Sequence, residues 1–160
     1  MRRTAWVLAA IAISAALATA PASGQVHLGP QVSLADDADV GLGGRFVAGV
    51  PDYTGLEFAG TFDVFFPQGP GDYWEINANL LHNFELAGTA AVRPYAGGGL
   101  NLARFDRGGE IPGDDETELG LNLVGGTKFA TEHSATPFVE LRFEIEGGEQ
   151  VVVTGGLLLP

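Results

Sequence analysis

Histidine and serine are the side chains of this sequence that could carry out nucleophilic and acid–base chemistry. The histidines are His27, His82 and His133, and the serines after residue 25 are Ser33 and Ser134. A hydrolytic site needs a serine, a histidine base and an orienting carboxylate, held together in a sheltered pocket. His133 and Ser134 are adjacent in a predicted turn, which offers neither a carboxylate partner nor a pocket. The sequence therefore predicts no catalytic residue.

Metal and cofactor sites have equally little support. Asp37-Ala38-Asp39-Val40-Gly41 begins like a calcium loop, but Gly41 stands where the third ligand is needed and no Glu closes the motif. Gly97-Gly98-Gly99 is followed by no Lys-Ser or Lys-Thr pair, so it does not form a phosphate loop. With no cysteine there is no thiolate site. We predict no metal site and no cofactor, and only loose binding of divalent cations by two acidic clusters, Asp36, Asp37 and Asp39 in one and Asp114, Asp115 and Glu116 in the other.

Composition limits the possible partners. The chain has 160 residues, which is the length of one domain, and a formal net charge of −12. Only 8 residues are Lys or Arg, too few for the basic surface that binds phosphate backbones. Nucleic acid is therefore excluded as a partner. The sequence is nevertheless 46% hydrophobic with 24 glycines, so apolar surface and solvated acid must be segregated.

The N-terminal segment resembles an export signal. Arg2 and Arg3 precede an apolar run from Ala5 to Leu17, which is followed by small residues. The run is shorter than the roughly 20 residues of a membrane-spanning helix. We predict a signal peptide over residues 1–24, with cleavage near 22–24, and a mature domain over residues 25–160.

From Gln25 onward, apolar residues recur at every second position between turns, which is the period of a β-strand. Typical runs are Val40 to Val50, Leu56 to Phe66 and Leu119 to Phe129. About eight strands of roughly 9 to 12 residues follow, the length of tilted strands that cross a bilayer. The longest predicted connection, Asp106 to Thr117, is placed on the outer side. The fold class is all-β, an antiparallel up-and-down transmembrane barrel.

The polar face of the strands decides which side of the barrel is inside. That face is mostly Gly, Ala and Asn with charges of both signs, whereas a soluble exterior carries many long Lys and Glu side chains. We therefore interpret it as a narrow lumen, in which opposite charges must pair. The predicted structural polar network of the lumen consists of Arg45, Glu57, Asp63, Glu75, Arg93, Lys128, Glu140, Arg142 and Glu144.

Aromatic residues cluster at the predicted strand ends and suggest two girdles at the level of lipid headgroups. The outer girdle would contain Phe65, Phe66, Tyr73, Trp74 and Phe105, and the inner girdle Tyr53, Phe84, Phe129 and Phe138.

Two segments resemble a known family. Val92-Arg93-Pro94-Tyr95-Ala96-Gly97-Gly98-Gly99-Leu100-Asn101 is similar to a strand of the outer-membrane β-barrel domain family, the small OmpA- and OmpX-like barrels. Thr136-Pro137-Phe138-Val139-Glu140-Leu141-Arg142 resembles a later strand. The resemblance implies an outer-membrane location, contact with outer-membrane lipids and insertion by the barrel assembly machinery. Such barrels usually end on an aromatic residue, and this chain departs from that pattern by ending Leu157-Leu158-Leu159-Pro160.

The favoured function is a structural or interaction role in the outer membrane, without catalysis and with a lumen filled by side chains. Two alternatives stay open at this stage, a narrow pore and a soluble lipocalin-like binding barrel. An outer-membrane lipid-modifying enzyme is less favoured because suitable nucleophiles are few.

Overall fold

The structure is a computed structural model, and it describes residues 26–36, 38–68, 71–86, 88, 91–106, 115–146 and 149–160. The predicted signal peptide, residues 1–24, lies outside the described residues. The described part contains no helix long and apolar enough to cross a membrane. Its strands are β1 (Val26–Ala35), β2 (Asp39–Gly49), β3 (Leu56–Phe66), β4 (Asp72–Asn83), β5 (Val92–Asp106), β6 (Asp115–Phe129), β7 (Thr136–Ile145) and β8 (Val151–Leu158).

These strands form one closed antiparallel barrel in which each strand pairs with its neighbours in sequence and β8 pairs with β1. The predicted all-β, eight-strand up-and-down barrel is confirmed. We call the end that carries Val26, Pro160 and residues 50–55, 84–86 and 130–135 the terminal end. The opposite end, where β1 connects to β2, β3 to β4, β5 to β6 and β7 to β8, is the loop end.

The β5–β6 hairpin is longer than its apolar pattern predicts. Both strands have 15 residues, and pairing continues through Phe105↔Glu116 to Asp106↔Asp115. Residues 106 and 115–117, predicted as connection, therefore belong to strands, while residues 107–114 lie outside the described residues. The strands continue past the apolar pattern because polar residues end the alternation of apolar side chains but still form the backbone hydrogen bonds of the ladder.

Neighbouring residues of each strand point to opposite sides of the barrel wall, as strand geometry requires. In β6, Leu121 is 55% exposed and Asn122 is 2% exposed. In β5, Leu100 is exposed and Asn101 is buried. The apolar face is therefore outside and the polar face is inside, which is the reverse of a barrel dissolved in water.

The lumen also holds apolar side chains, in two clusters. A terminal-end apolar layer takes one residue from each of β2 to β8, namely Val47, Ala59, Leu81, Tyr95, Val124, Phe138 and Leu158. A loop-end apolar layer consists of Ala35, Ala38, Phe65, Tyr73, Ala103 and Val152, with Phe105 packed against it.

Three aromatic residues predicted to lie in the girdles, Phe65, Tyr73 and Phe138, belong to these apolar layers and are buried, and a fourth, Phe105, is partly buried against the loop-end layer. That part of the girdle prediction is wrong because the four residues lie on the lumen-facing side of their strands, β3, β4, β7 and β5. Position near a strand end does not decide the direction of a side chain, whereas the two-residue period does. Phe66, Tyr53, Phe84 and Phe129 are exposed, as the girdle prediction requires.

Three lumen aromatics each lie over a glycine on the neighbouring strand. Phe65 pairs with Gly41, Tyr95 with Gly126, and Phe138 with Gly156. A Cβ added at Gly41, Gly126 or Gly156 would lie 2.8, 2.5 or 2.6 Å from the facing ring. The rings therefore occupy space that any larger residue at these positions would fill.

Gly126→Ala is expected to destabilise the barrel by about 1 to 3 kcal/mol, because the new methyl group overpacks the lumen. It would meet Tyr95 at 2.5 Å and the Val139 carbonyl oxygen at 2.6 Å. Gly125→Ala is the matched control, since a Cβ there meets nothing within 4 Å. The midpoint of urea unfolding in detergent measures both. An equal shift for the two variants would contradict the close packing at Gly126.

Candidate functional site

The candidate site is the group of polar side chains inside the barrel, between the two apolar layers. Alternate residues of all eight strands supply it, because every second side chain of a strand points inward. Its buried members are Gln31, Ser33, Arg45, Thr61, Asp63, Glu75, Asn77, Asn79, Asn101, Asn122, Glu140, Arg142, Glu144 and Thr154, together with Gln150 from the connection before β8.

Arg142 is the centre of an ion-pair cluster in the loop-end half of the lumen. Its Nη2 lies 2.7 Å from Glu75 Oε2, and its Nε lies 2.7 Å from Glu144 Oε1. Gln150 Nε2 donates to Glu144 Oε2 at 3.1 Å and to the Tyr73 hydroxyl at 3.0 Å. The Tyr73 hydroxyl in turn donates to Glu75 Oε1. Arg142 thus links β7 to β4 across the lumen.

Asp63 lies beside this cluster and accepts hydrogen bonds from neutral donors. Gln31 Nε2 lies 2.8 Å from both of its oxygens, and Ser33 Oγ donates at 3.2 Å. Ser33 Oγ is also 2.9 Å from Thr154 Oγ1. These bonds join β1, β3 and β8.

Asparagine side chains fill the middle of the lumen. Asn122 Nδ2 donates to Asn77 Oδ1 at 2.8 Å and to Asn79 Oδ1 at 3.0 Å. Asn77 Nδ2 donates to Thr61 Oγ1 at 3.1 Å. β6 and β4, which are not neighbours in the sheet, are therefore in direct contact through the interior.

A second ion pair, between Arg45 and Glu140, lies toward the terminal end and joins β2 to β7. The Tyr95 hydroxyl donates to the other Glu140 oxygen at 2.8 Å. The Arg45 guanidinium lies 4.3 Å from the centre of the Phe138 ring, within the range of a cation–π interaction.

A third ion pair, between Lys128 and Glu57, lies nearest the terminal end. Lys128 Nζ also donates to Asn83 Oδ1 at 3.2 Å. The side chains of Lys128 and Glu57 retain 10% and 21% exposure, so this pair forms the mouth of the lumen at that end.

Eight of the nine predicted network residues occur in these clusters, which are three ion-pair groups and the Asp63 group. Arg93 does not. It lies on the lumen-facing side of β5 but is exposed at the terminal end, where β5 begins. The two-residue period predicts the lumen-facing direction of Arg93 but not how far neighbouring side chains cover it. Arg93, a member of the predicted lumen network, therefore lies outside the buried clusters.

Five residues that complete the clusters are absent from the predicted network. Gln31, Ser33, Tyr73, Tyr95 and Gln150 all donate to buried carboxylates. For the first four of them, position on the lumen-facing side of a strand is a usable signal in the sequence. Gln150 precedes β8 in a connection, where no strand period applies, so no signal in the sequence identifies it.

The residues considered for catalysis are not assembled into a site. Ser33 is buried, and its hydroxyl is bonded to Asp63 and Thr154. His82 is exposed at the end of β4, and His133 and Ser134 are exposed in the turn after β6. Among the described residues no hydrogen bond joins a histidine to a serine. The chemistry that the lumen groups support is mutual charge pairing and strand cross-linking.

The turn that follows β1 contains the acids of the calcium-loop-like motif. Asp37 lies outside the described residues, and the Asp39 carboxylate accepts from the backbone N–H of Gln68 at 3.0 Å and from its Nε2 at 3.3 Å. Within the described part of the chain, no group of three or more His, Cys, Asp or Glu side chains is placed to hold a metal ion.

Comparison with protein-family models finds no match, and comparison with curated protein sequences finds none either. Three solved structures match most of the chain. Neisserial surface protein A has a TM-score of 0.57 at 20% identity and covers 84% of this chain and 94% of its own. The N-terminal barrel of Pseudomonas aeruginosa OprF has a TM-score of 0.63 at 16% identity, with 86% and 100% covered. Ail, the attachment invasion locus protein of Yersinia pestis, has a TM-score of 0.53 at 16% identity, with 84% and 94% covered.

These three proteins are eight-strand outer-membrane barrels of the OmpA/OmpX-like kind. The present chain has the same fold, and the predicted resemblance is confirmed at that level.

Proposed function

We propose that this chain is an integral outer-membrane barrel with a structural or interaction role, a lumen filled by side chains and no catalytic site. The observation that carries the proposal is the inverted distribution of side chains. Charged residues such as Arg142 and Glu75 are fully buried, while leucines and phenylalanines of the same strands are exposed. Hydrocarbon outside the barrel and polar contacts within it account for both facts.

The exposed apolar side chains form a continuous wall around the barrel. Every strand contributes, with examples at Leu34, Leu42, Leu80, Leu123 and Val153. A soluble protein rarely exposes contiguous apolar area beyond a few hundred Å². A soluble lipocalin-like barrel would also need an apolar interior for its ligand, whereas the middle of this lumen holds ion pairs and amides. Lipid is the surrounding that fits this wall.

The side chains in the lumen favour a blocked interior over a narrow pore. Arg142 reaches from β7 to Glu75 on β4, Arg45 reaches from β2 to Glu140 on β7, and Asn122 reaches from β6 to Asn77 on β4. Each contact crosses the interior, and an apolar layer lies at each end. An eight-strand barrel has an interior only just wide enough for side chains.

We therefore expect the mature chain to conduct ions poorly after reconstitution, because ion pairs and apolar layers occupy the path. Single-channel recording in a planar bilayer measures this, with the same preparation after heat unfolding as the control. Stable conductance steps of porin size, present only for the folded protein, would show an open lumen and contradict the proposal.

The location of the wall can be tested by quenching of a fluorophore. Since the chain has no cysteine, Leu121→Cys and Asn122→Cys each give one labelling site. We expect brominated acyl chains to quench a label at position 121 strongly and a label at position 122 weakly, because Leu121 is 55% exposed and Asn122 is 2% exposed. Equal or reversed quenching in folded samples would contradict a lipid-facing exterior.

An interaction role is supported by the charge of the loop end. Asp36, Asp72, Glu146 and Glu149 are exposed there. Such a rim attracts cations, so the proposal includes loose binding of divalent cations between these acids and lipid phosphates. Insertion into the membrane by the barrel assembly machinery is part of the same proposal.

A further inference from the structure

The junction between β1 and β8, which we call the seam, is the shortest ladder of the barrel. It has five residue pairs, from Gln31↔Gly156 to Ala35↔Val152. The other seven ladders have eight to fifteen pairs. Since every second pair of an antiparallel ladder exchanges two backbone hydrogen bonds, the ladder with the fewest pairs also has the fewest such bonds.

The seam is interrupted toward the terminal end. Leu28 and Leu159 exchange both backbone hydrogen bonds, at 3.0 and 2.7 Å. Gly29 and Pro30 follow, and neither is paired with β8. Pro30 has no N–H to donate to the ladder. The Leu157 carbonyl oxygen approaches Gly29 so closely that a Cβ there would lie 1.5 Å from it.

Two side-chain contacts reinforce the seam. Inside the lumen, Ser33 Oγ lies 2.9 Å from Thr154 Oγ1. At the loop end, the Val151 N–H donates to Asp36 Oδ1 at 2.8 Å, and the Asp36 N–H donates to the Val151 carbonyl at 3.2 Å. We call this Asp36–Val151 pair the latch, because it closes the seam where the ladder ends.

We propose that the barrel opens sideways at the β1–β8 seam and that Asp36 latches it. Opening there breaks the ladder with the fewest hydrogen bonds. It also leaves all seven hairpins intact, since every other ladder joins strands that are consecutive in the chain. The open form exposes an edge of β1 and an edge of β8 together with the lumen residues Gln31 and Ser33.

Amide hydrogen exchange of the folded barrel in detergent tests the seam directly. Alternate residues of a strand donate to opposite neighbours, and Leu28 donates to β8, so Val32 and Leu34 also donate across the seam. Ser33 between them donates to β2 and is the internal control. We expect Val32 and Leu34 to exchange about tenfold faster than Ser33, because they open with the seam. Equal protection of the three amides would overturn the proposal.

A disulfide across the seam provides an independent test. Ser33→Cys with Thr154→Cys replaces two side chains that are already in contact. Thr61→Cys with Asn77→Cys is the matched control, because these lumen residues are also paired and hydrogen-bonded, but between β3 and β4. Each reduced variant is the reference for its oxidised form. We expect oxidation to slow unfolding in urea about tenfold or more for the seam pair and less than about threefold for the control. Equal slowing would overturn the proposal.

The latch has its own variant, which does not depend on disulfide formation. Asp36 is exposed, so Asp36→Ala is expected to leave the fold intact. It should speed exchange at Val32 and Leu34 by about threefold or more while leaving Ser33 unchanged. Asp72→Ala, at an exposed acid of the same end, should change none of the three amides. Exchange at Val32 and Leu34 that does not respond to Asp36→Ala would overturn the role of the latch.

Discussion

Arg142→Met is expected to destabilise the folded barrel by about 3 to 5 kcal/mol, because it removes one partner of a buried ion pair. Arg142 has no exposed surface, and its guanidinium contacts Glu75 and Glu144. Methionine fills much of the same volume, so the loss comes from two carboxylates that remain buried without their cation. Equilibrium unfolding in urea, followed by gel mobility without boiling, measures the effect.

Two further variants separate charge from packing at this position. Arg93→Met removes the same charge from an exposed residue and is expected to change stability by less than about 0.5 kcal/mol. Adding Glu75→Gln and Glu144→Gln to Arg142→Met should recover part of the loss, because the uncompensated charges are then gone. A triple variant no more stable than Arg142→Met would show that the side-chain volume of Arg142, and not its charge, holds the cluster together.

Leu123→Arg is expected to destabilise the barrel in lipid bilayers by about 2 to 4 kcal/mol, because it places a charge against hydrocarbon at mid-depth. Leu123 is 55% exposed and adjoins Asn122, which lies in the middle of the lumen. Reversible folding into vesicles measures the difference from the unsubstituted chain.

Leu119→Arg is the matched control for this prediction. Leu119 lies on the same face of β6, four residues nearer the loop end, and is 65% exposed. A charge near the membrane surface costs only about 0 to 1 kcal/mol. If water surrounded the barrel, arginine would be tolerated at both positions, so equal and small effects in bilayers would contradict the outer-membrane proposal.

The direction of each side chain could be predicted from sequence, because a strand alternates its faces residue by residue. Leu121 outside and Asn122 inside follow from that period alone. The barrel itself follows from the regular spacing of strands and turns. The full length of the β5–β6 hairpin could not be predicted. Its last pairs include Glu116 and Thr117, and they are held by backbone hydrogen bonds, which residues of any type can form.

The partners inside the lumen could not be predicted, because they depend on how the strands are staggered around the closed barrel. Arg142 and Glu75 are 67 residues apart in sequence and meet only because β7 and β4 face each other at that depth. Arg93 is exposed, whereas Lys128, its partner across β5 and β6, is buried against Glu57 and Asn83, and the sequence does not show which of two paired residues makes such contacts. The prediction that Phe138 lies in the inner girdle was wrong for a related reason. The expectation that only polar side chains face the lumen does not anticipate the apolar layers at its two ends, one of which contains Phe138.

The hydrogen bonds between Leu28 and Leu159 place the first and last strands side by side. Neighbouring strands are thus joined by hairpins, except for β1 and β8, which are held together only by non-covalent contacts. The order of strands around the barrel is circular, and the chain interrupts this circle at one place, the cut between β8 and β1. A circular permutant that joins the two ends and begins in another connection would turn β1 and β8 into an ordinary hairpin and move the cut elsewhere. The position of the cut therefore decides which strand comes first in the chain, while the pairing of strands in the barrel stays the same.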